Sequence, residues 1–239
     1  MTENLFNEAV FRDIEENYRS ILQTMEDAAV RAGRKTSDIR FMAVTKTVQP
    51  VFINHALHLG IDLIGENKVQ ELLEKKEYLS GNYQAHLIGH LQTNKVKKII
   101  REVTMIQSVD SVHLAEEISK QAVNAGLKMP VLLELNIGGE ESKTGFALDG
   151  FTDNALQIAE LPGVEVQGIM SVPPVCEEEK EIRLWFEKVR KRYEELKEQA
   201  ALRNMTTLSM GMSSDYAQAI AEGANLVRVG SALFGRRRY

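Results

Sequence analysis

Eight short apolar runs alternate with helix-period segments along this chain, and no other regularity restricts its fold as tightly. The runs cover 39–44, 61–65, 85–89, 105–109, 131–137, 166–171, 207–210 and 226–229. Each is strand-length, and several are apolar throughout, as strands covered on both faces must be. Between them, 50–59, 69–79, 93–102, 111–125, 152–160, 178–203 and 215–222 carry apolar residues at three- and four-residue spacing. The longest puts Ile182, Trp185, Phe186, Val189, Tyr193 and Leu196 on one stripe. Ahead of the first run lies an amphipathic helix marked by Ile14, Tyr18, Ile21, Leu22, Met25 and Ala29 and ended at Gly33. The pattern predicts a single (β/α)8 TIM-barrel domain over 1–239 with an extra N-terminal helix. An open doubly wound sheet is the alternative, but no Gly-x-Gly-x-x-Gly follows the first run to support a dinucleotide fold.

Composition narrows the partners. Of 239 residues 44% are hydrophobic, enough for a sizeable core, and 29 Lys+Arg against 34 Asp+Glu leave a net charge of -5. That balance points to neither nucleic acid nor an anionic membrane. The one basic cluster, Arg236-Arg237-Arg238, follows the last element and reads as a solvated tail. One cysteine, Cys176, excludes an internal disulfide framework, and its acidic loop disfavours a nucleophilic thiolate. The N-terminus lacks a secretion signal and no apolar run reaches a membrane span, so a cytoplasmic protein is expected.

In a barrel the chemistry collects where strands end, and here those ends are polar. They hold Thr45-Lys46-Thr47, Glu66-Asn67, His90 with Gln92 and Asn94, Asn136, Met170-Ser171, Ser209-Met210-Gly211-Met212-Ser213, and Arg228 followed by Gly230-Ser231. Small residues before the helix near Asp215, together with Gly230 and Ser231, fall where barrels bind phosphate; an N-cap by Ser213 or Ser214 is the plainer alternative. Arg228 interrupts an apolar strand, where an unpaired guanidinium is costly, so it needs a ligand or an internal carboxylate. Lys46, closing the first run, is a potential Schiff-base amine or simply a lysine snorkelling from a strand end. His86 and His90 lack the companions of a metal site. Gly138–Gly145 resembles a mobile loop over the barrel mouth, with Lys143 either a second amine there or a solvated loop residue.

A Schiff-base lysine, a phosphate cup and an arginine facing a ring acceptor together describe a site for pyridoxal 5′-phosphate (PLP). The segments Ala43-Val44-Thr45-Lys46, Gly65-Glu66-Asn67 with Gln70-Glu71, and His86 to Lys95 resemble the pyridoxal phosphate homeostasis protein family. So do Ser209 to Asp215 and Val227-Arg228-Val229-Gly230, and the resemblance runs from about residue 10 to the C-terminus.

The resemblance implies a barrel like the N-terminal domain of alanine racemase, the fold type III class of PLP proteins. It implies that Lys46 forms the internal aldimine, that Arg228 faces the pyridine nitrogen, and that Ser209–Ser213 with Gly230 and Ser231 hold the phosphate; Asn67, Asn136, Met170, Met210 and Met212 complete the candidate cofactor site. A permanently charged donor cannot give the ring nitrogen a proton, so the cofactor would be a weak electron sink. Racemases also use a tyrosine from a second domain of a partner subunit. This chain stops at Tyr239, and Pro50 stands where racemases carry a tyrosine four residues after the lysine. The expectation is a PLP carrier in vitamin B6 and amino-acid homeostasis, without turnover of its own. It would be a monomer or weak dimer, with PLP-dependent apoenzymes as candidate partners. A PLP-dependent racemase or decarboxylase and a PLP-independent lysine aldolase are the rivals.

Overall fold

The computed structural model describes residues 2–235, with side chains described from residue 7 onward; the arginines at 236–238 lie outside the described residues. Eight parallel strands close into a barrel in chain order. They are β1 (Arg40–Val44), β2 (Leu63–Glu66), β3 (Gln84–Leu87), β4 (Met105–Val109), β5 (Met129–Leu135), β6 (Val164–Ser171), β7 (Thr207–Ser209) and β8 (Leu226–Val229). Closure is made by β8 against β1, with Arg40 beside Leu226 and Met42 beside Arg228. The helices are α1 (Thr2–Arg31), α2 (Pro50–His58), α3 (Val69–Lys76), α4 (Val96–Ile99), α5 (Val112–Asn124), α6 (Phe151–Ala159), α7 (Glu179–Lys197), α8 (Tyr216–Ala221) and α9 (Ser231–Phe234).

The barrel therefore matches the architecture expected from the alternation of runs, with three local differences. Residues 93–102 form a 3-10 turn at Thr93–Lys95 and then the single turn of α4. The segment 178–203 stops being helical at Lys197 because the chain beyond it curls through successive turns that bury Leu202 and Met205. α9 was not foreseen; it is one turn, too short to show a period.

The main core lies between the strands and their helices, and α1 extends it. Ile14, Ile21, Met25 and Ala29 of α1 are buried. The Asn17 amide donates to the Leu233 carbonyl at 3.0 Å, and just past the helix Arg34 donates to the carbonyls of Ile220 (2.8 Å) and Ala224 (2.7 Å). These bonds fasten α1 across α8 and α9.

Two small clusters stand apart from that core: Met42, Leu63 and Leu226 with Ile88, and Met105, Leu132 and Met170 with Val172. They fill the barrel's interior, and they mark the inward face of the strands that supply them. Side chains alternate along a strand, so residues two and four beyond these share the inner face. Lys46, Asn67, Gln107, Glu134, Arg228 and Gly230 follow on that face toward the C-terminal mouth.

Candidate functional site at the barrel mouth

The site divides into an amine wall at β1 and β2 and a cationic wall at β7 and β8. Lys46 stands half-buried, two residues past the end of β1. Its neighbours in sequence point outward and are gripped from behind by α3. The Thr45 hydroxyl donates to Glu66 Oε1 at 2.7 Å. Lys75, on the inner side of α3, donates to the Thr45 carbonyl (2.7 Å), to Glu66 Oε1 (2.8 Å) and to Glu71 Oε1 (2.6 Å). Glu71 in turn accepts from the backbone N–H of Thr47, whose φ of 64° lies in the left-handed region that a β-branched residue avoids. Both residues flanking Lys46 are thus tied to one buried ion-pair network.

The two carboxylates of that network differ. Burial pushes Glu66 above the usual carboxylate range, although the hydrogen bond from Lys75 works against it. Glu71 is less buried; burial raises it too, but the bonds from Lys75 and Thr47 win and hold it below its ordinary value. Asn67, on the inner face beside Lys46, keeps a buried Oδ1 with no hydrogen-bond partner among the described residues. Pro50 opens α2 as its first residue, a place that suits a residue without an N–H.

Opposite in character is Arg228. It is 4% exposed, and burial lowers its pKa to about 10 although Asp215 and Glu134 pull the other way. No carboxylate lies within ion-pair distance of it among the described residues. Its hydrogen bonds go to neutral acceptors, the Ser209 hydroxyl (2.7 Å) and the Ser171 carbonyl (3.0 Å). From Ser209 the chain of donors continues inward: the hydroxyl donates to Gln107 Oε1 (2.7 Å), and the Gln107 amide donates to His86 Nδ1 (2.8 Å). Burial, with Arg40 nearby, drives His86 down to about 3, so it is neutral and its Nδ1 is free to accept. With its proton committed to Gln107, Ser209 steadies the guanidinium rather than facing the loops.

Those loops are joined by Ser213. Its Oγ accepts from the backbone N–H of Gly230 (3.2 Å) and of Ala232 (3.1 Å), which leaves its own proton for another acceptor. It does not cap the helix that follows it; Asp215 occupies that position and its Oδ1 accepts from Met212 N–H at 2.6 Å. Gly211, at φ 92°, has no room for a side chain, because a Cβ would lie 2.5 Å from that of Ala219. Ser214 and Ser231 are exposed at the rim, and Met212 is 36% exposed. Met210 packs into the main core instead, so only its backbone reaches the mouth. Met170 belongs to the interior cluster below the mouth.

Sequence reasoning singled out Lys46, Arg228 and the loops but not Lys75, Gln107 or Glu134. The last two had the same signal as Arg228, a polar residue inside an apolar run. Asn136 is brought to the rim, but its amide is used within its own loop, donating to the carbonyls of Glu140 (2.9 Å) and Lys143 (3.3 Å). Among the described residues there is no group of three or more His, Cys, Asp or Glu able to hold a metal ion. No helix among them is long and apolar enough to cross a membrane. A larger cavity, about 470 Å³, lies on the outer surface along α7, lined by Glu179, Arg183, Glu187 and Glu222, away from these groups.

The family model described as alanine racemase, N-terminal domain, matches residues 13–238. A pyridoxal phosphate homeostasis protein of Aquifex aeolicus is 40% identical over 225 residues, covering 94% of this chain and 98% of that one. This chain belongs to the pyridoxal phosphate homeostasis protein family. Among solved structures, a protein of unknown function from Bifidobacterium adolescentis is 37% identical with a TM-score of 0.89, covering 94% of this chain and 96% of the other. The family member PipY of Synechococcus elongatus, with PLP bound, is 32% identical with a TM-score of 0.78, covering 89% of this chain and all (100%) of that one. Family membership makes the buried guanidinium with its neutral partners and the lysine just past β1 the groups to explain.

Proposed function

We propose that this protein binds PLP at the barrel mouth and serves intracellular vitamin B6 and amino-acid homeostasis as a carrier rather than as an enzyme with its own turnover. The observation that carries the reading is Arg228, a buried cation whose partners are all neutral. Such a charge costs stability unless a ligand supplies an acceptor, and the pyridine nitrogen of PLP is one. Asn67 Oδ1, buried without a partner, and the uncommitted Ser213 proton fit the same polar ligand.

In this reading Lys46 is the amine that bonds to the aldehyde of the cofactor, and Arg228 faces the ring nitrogen. Ser213, Gly211, Gly230 and Ser231 hold the phosphate, with Met212 at the rim. PLP supplies a carbonyl for amines and, where its ring nitrogen is protonated, a sink for electrons. Arg228 donates to that nitrogen without giving up a proton at neutral pH, so it favours holding the cofactor over using it. The Lys75 network keeps the backbone on both sides of Lys46 in one conformation. The whole chain acts as one cofactor-binding domain in the cytoplasm, as a monomer or weak dimer, with PLP-dependent apoenzymes receiving what it carries.

Racemisation is the second reading, and one residue favours it. Glu134 lies on β5, four strands from β1 in the closed order, and burial raises its carboxyl. A raised carboxyl across the mouth from a lysine is a possible second proton-transfer group. The test takes purified full-length protein with PLP. The visible band of lysine-bound PLP is expected, with at most trace interconversion of L- and D-alanine. Absence of the band rejects the cofactor reading, and racemisation on the order of 1 s⁻¹ or more rejects the carrier reading.

A further inference from the structure

β5 leaves the barrel at Leu135, and the chain returns to bridge it at Phe146. Phe146 N–H donates to the Glu134 carbonyl (2.8 Å) and Asn136 N–H to the Phe146 carbonyl (3.0 Å). Inside the loop so formed, the Asn136 amide binds the Glu140 and Lys143 backbones, accepting as well from Glu140 N–H at 3.2 Å. The loop roofs a cavity of about 300 Å³ lined by Glu134, Asn136, Ser142, Lys143, Thr144 and Val172.

The two charged side chains that line this cavity are held differently. Lys143 is paired with Glu140, and its ammonium also donates to the carbonyls of Val172 (3.4 Å) and Pro173 (3.2 Å). Glu134 is held by a neutral donor. Its Oε1 accepts from the Thr144 hydroxyl (2.9 Å), and its Oε2 is buried with no hydrogen-bond partner among the described residues. Asp110 pushes its carboxyl up, while Arg228 and His90 pull it down. His90 is hydrogen-bonded to Asp110 at 2.7 Å, and the hydrogen bonds of Arg228 go to Ser209 and Ser171.

We propose that this cavity is a subsite for the ammonium group of a small primary amine, received by Oε2 of Glu134. An ammonium has three N–H donors and no acceptor, which matches a carboxylate oxygen left without a hydrogen-bond partner in a cavity that Ser142 also lines. The assignment rests on the PLP reading only for its purpose: an amine held across the mouth from Lys46 is placed to meet a lysine-bound aldehyde. Burial keeps the Glu134 carboxyl above its ordinary value, so the subsite should empty as pH falls into that raised range.

The experiment titrates isotope-labelled full-length protein, without PLP, with ethylamine at neutral pH and follows backbone amide resonances. Ser142, Thr144 and Gly145 should shift saturably, and tetramethylammonium, which has the charge but no N–H, should bind at least tenfold more weakly. Glu134→Gln should weaken ethylamine by roughly tenfold or more, because a charge-assisted bond becomes a neutral one. If that variant fails to fold, the wild type still decides, since its affinity must fall as the pH is lowered. Equal binding of both cations, equal binding by wild type and Glu134→Gln, or no saturable shift overturns the assignment. PLP binding by the wild type is followed separately through its visible band. Loss of that band with ethylamine still bound would reject the cofactor reading alone.

Discussion

Lys75 and Arg228 are both buried cations beside the barrel mouth, and their surroundings are opposite. Lys75 sits behind the wall, between α3 and β2, and its ammonium meets two carboxylates and a carbonyl. Arg228 sits inside the barrel and meets a hydroxyl and a carbonyl. A cation paired on all sides is a part of the framework, whereas one given only neutral partners is held ready for something else. One buried charge therefore ties together the residues around Lys46, and in the proposed reading the other receives a ligand.

The comparison breaks first at Lys75. Lys75→Met leaves Glu66 and Glu71 without their cation in a buried place, which should cost about 3–5 kcal/mol. Urea unfolding of the protein without PLP measures this, and a loss below about 1 kcal/mol would mean the network is no framework. Arg228→Met should do the reverse. Removing a cation with neutral partners should change the stability of the PLP-free protein by about 1 kcal/mol or less, because its desolvation cost disappears along with its two hydrogen bonds. PLP affinity should nevertheless drop at least tenfold, about 1.4 kcal/mol. Arg228→Lys should weaken binding too, since an ammonium cannot reproduce the planar fork. Unchanged affinity in both variants would make Arg228 a structural residue.

A smaller effect sharpens the contrast through pH. Glu71 is held below its ordinary pKa, so its contribution to stability is present above the usual carboxylate range and is lost as pH falls through the lowered value. Glu66 is raised, so its share runs the other way, with stability falling as pH rises from the ordinary value to the raised one. Glu71 is partly exposed, its side chain 21% accessible, and solvent screening keeps its share below about 1 kcal/mol. Glu71→Gln should therefore flatten the acid side of a plot of urea midpoint against pH, and an unaltered acid limb would show that Glu71 carries none of it.

The barrel was legible because parallel strands covered on both faces leave long apolar runs, and because helices between them keep their own period. Arg228 was legible for the same reason: a charge in Leu-Val-Arg-Val cannot be a surface residue. Gln107 in Met-Ile-Gln-Ser-Val and Glu134 in Leu-Leu-Glu-Leu broke their runs in the same way, and the rule that found Arg228 would have found them. Lys75 was different. In Glu-Leu-Leu-Glu-Lys-Lys-Glu it reads as one more solvated helix lysine with a carboxylate four residues earlier. Its burial comes from α3 packing on β2, which brings Glu66 under it, and no local pattern contains that contact. Ser213 was singled out in its loop, but its bond to the start of α9 depends on a one-turn helix too short to be read.

The central claim is that Lys46 is the amine to which PLP bonds. Full-length protein loaded with PLP, reduced with borohydride, digested and mapped by mass spectrometry tests it most directly. The account predicts the reduced phosphopyridoxyl group on Lys46, and loss of that label in Lys46→Ala; a label found mainly on Lys95 or Lys143 in the wild type would contradict it.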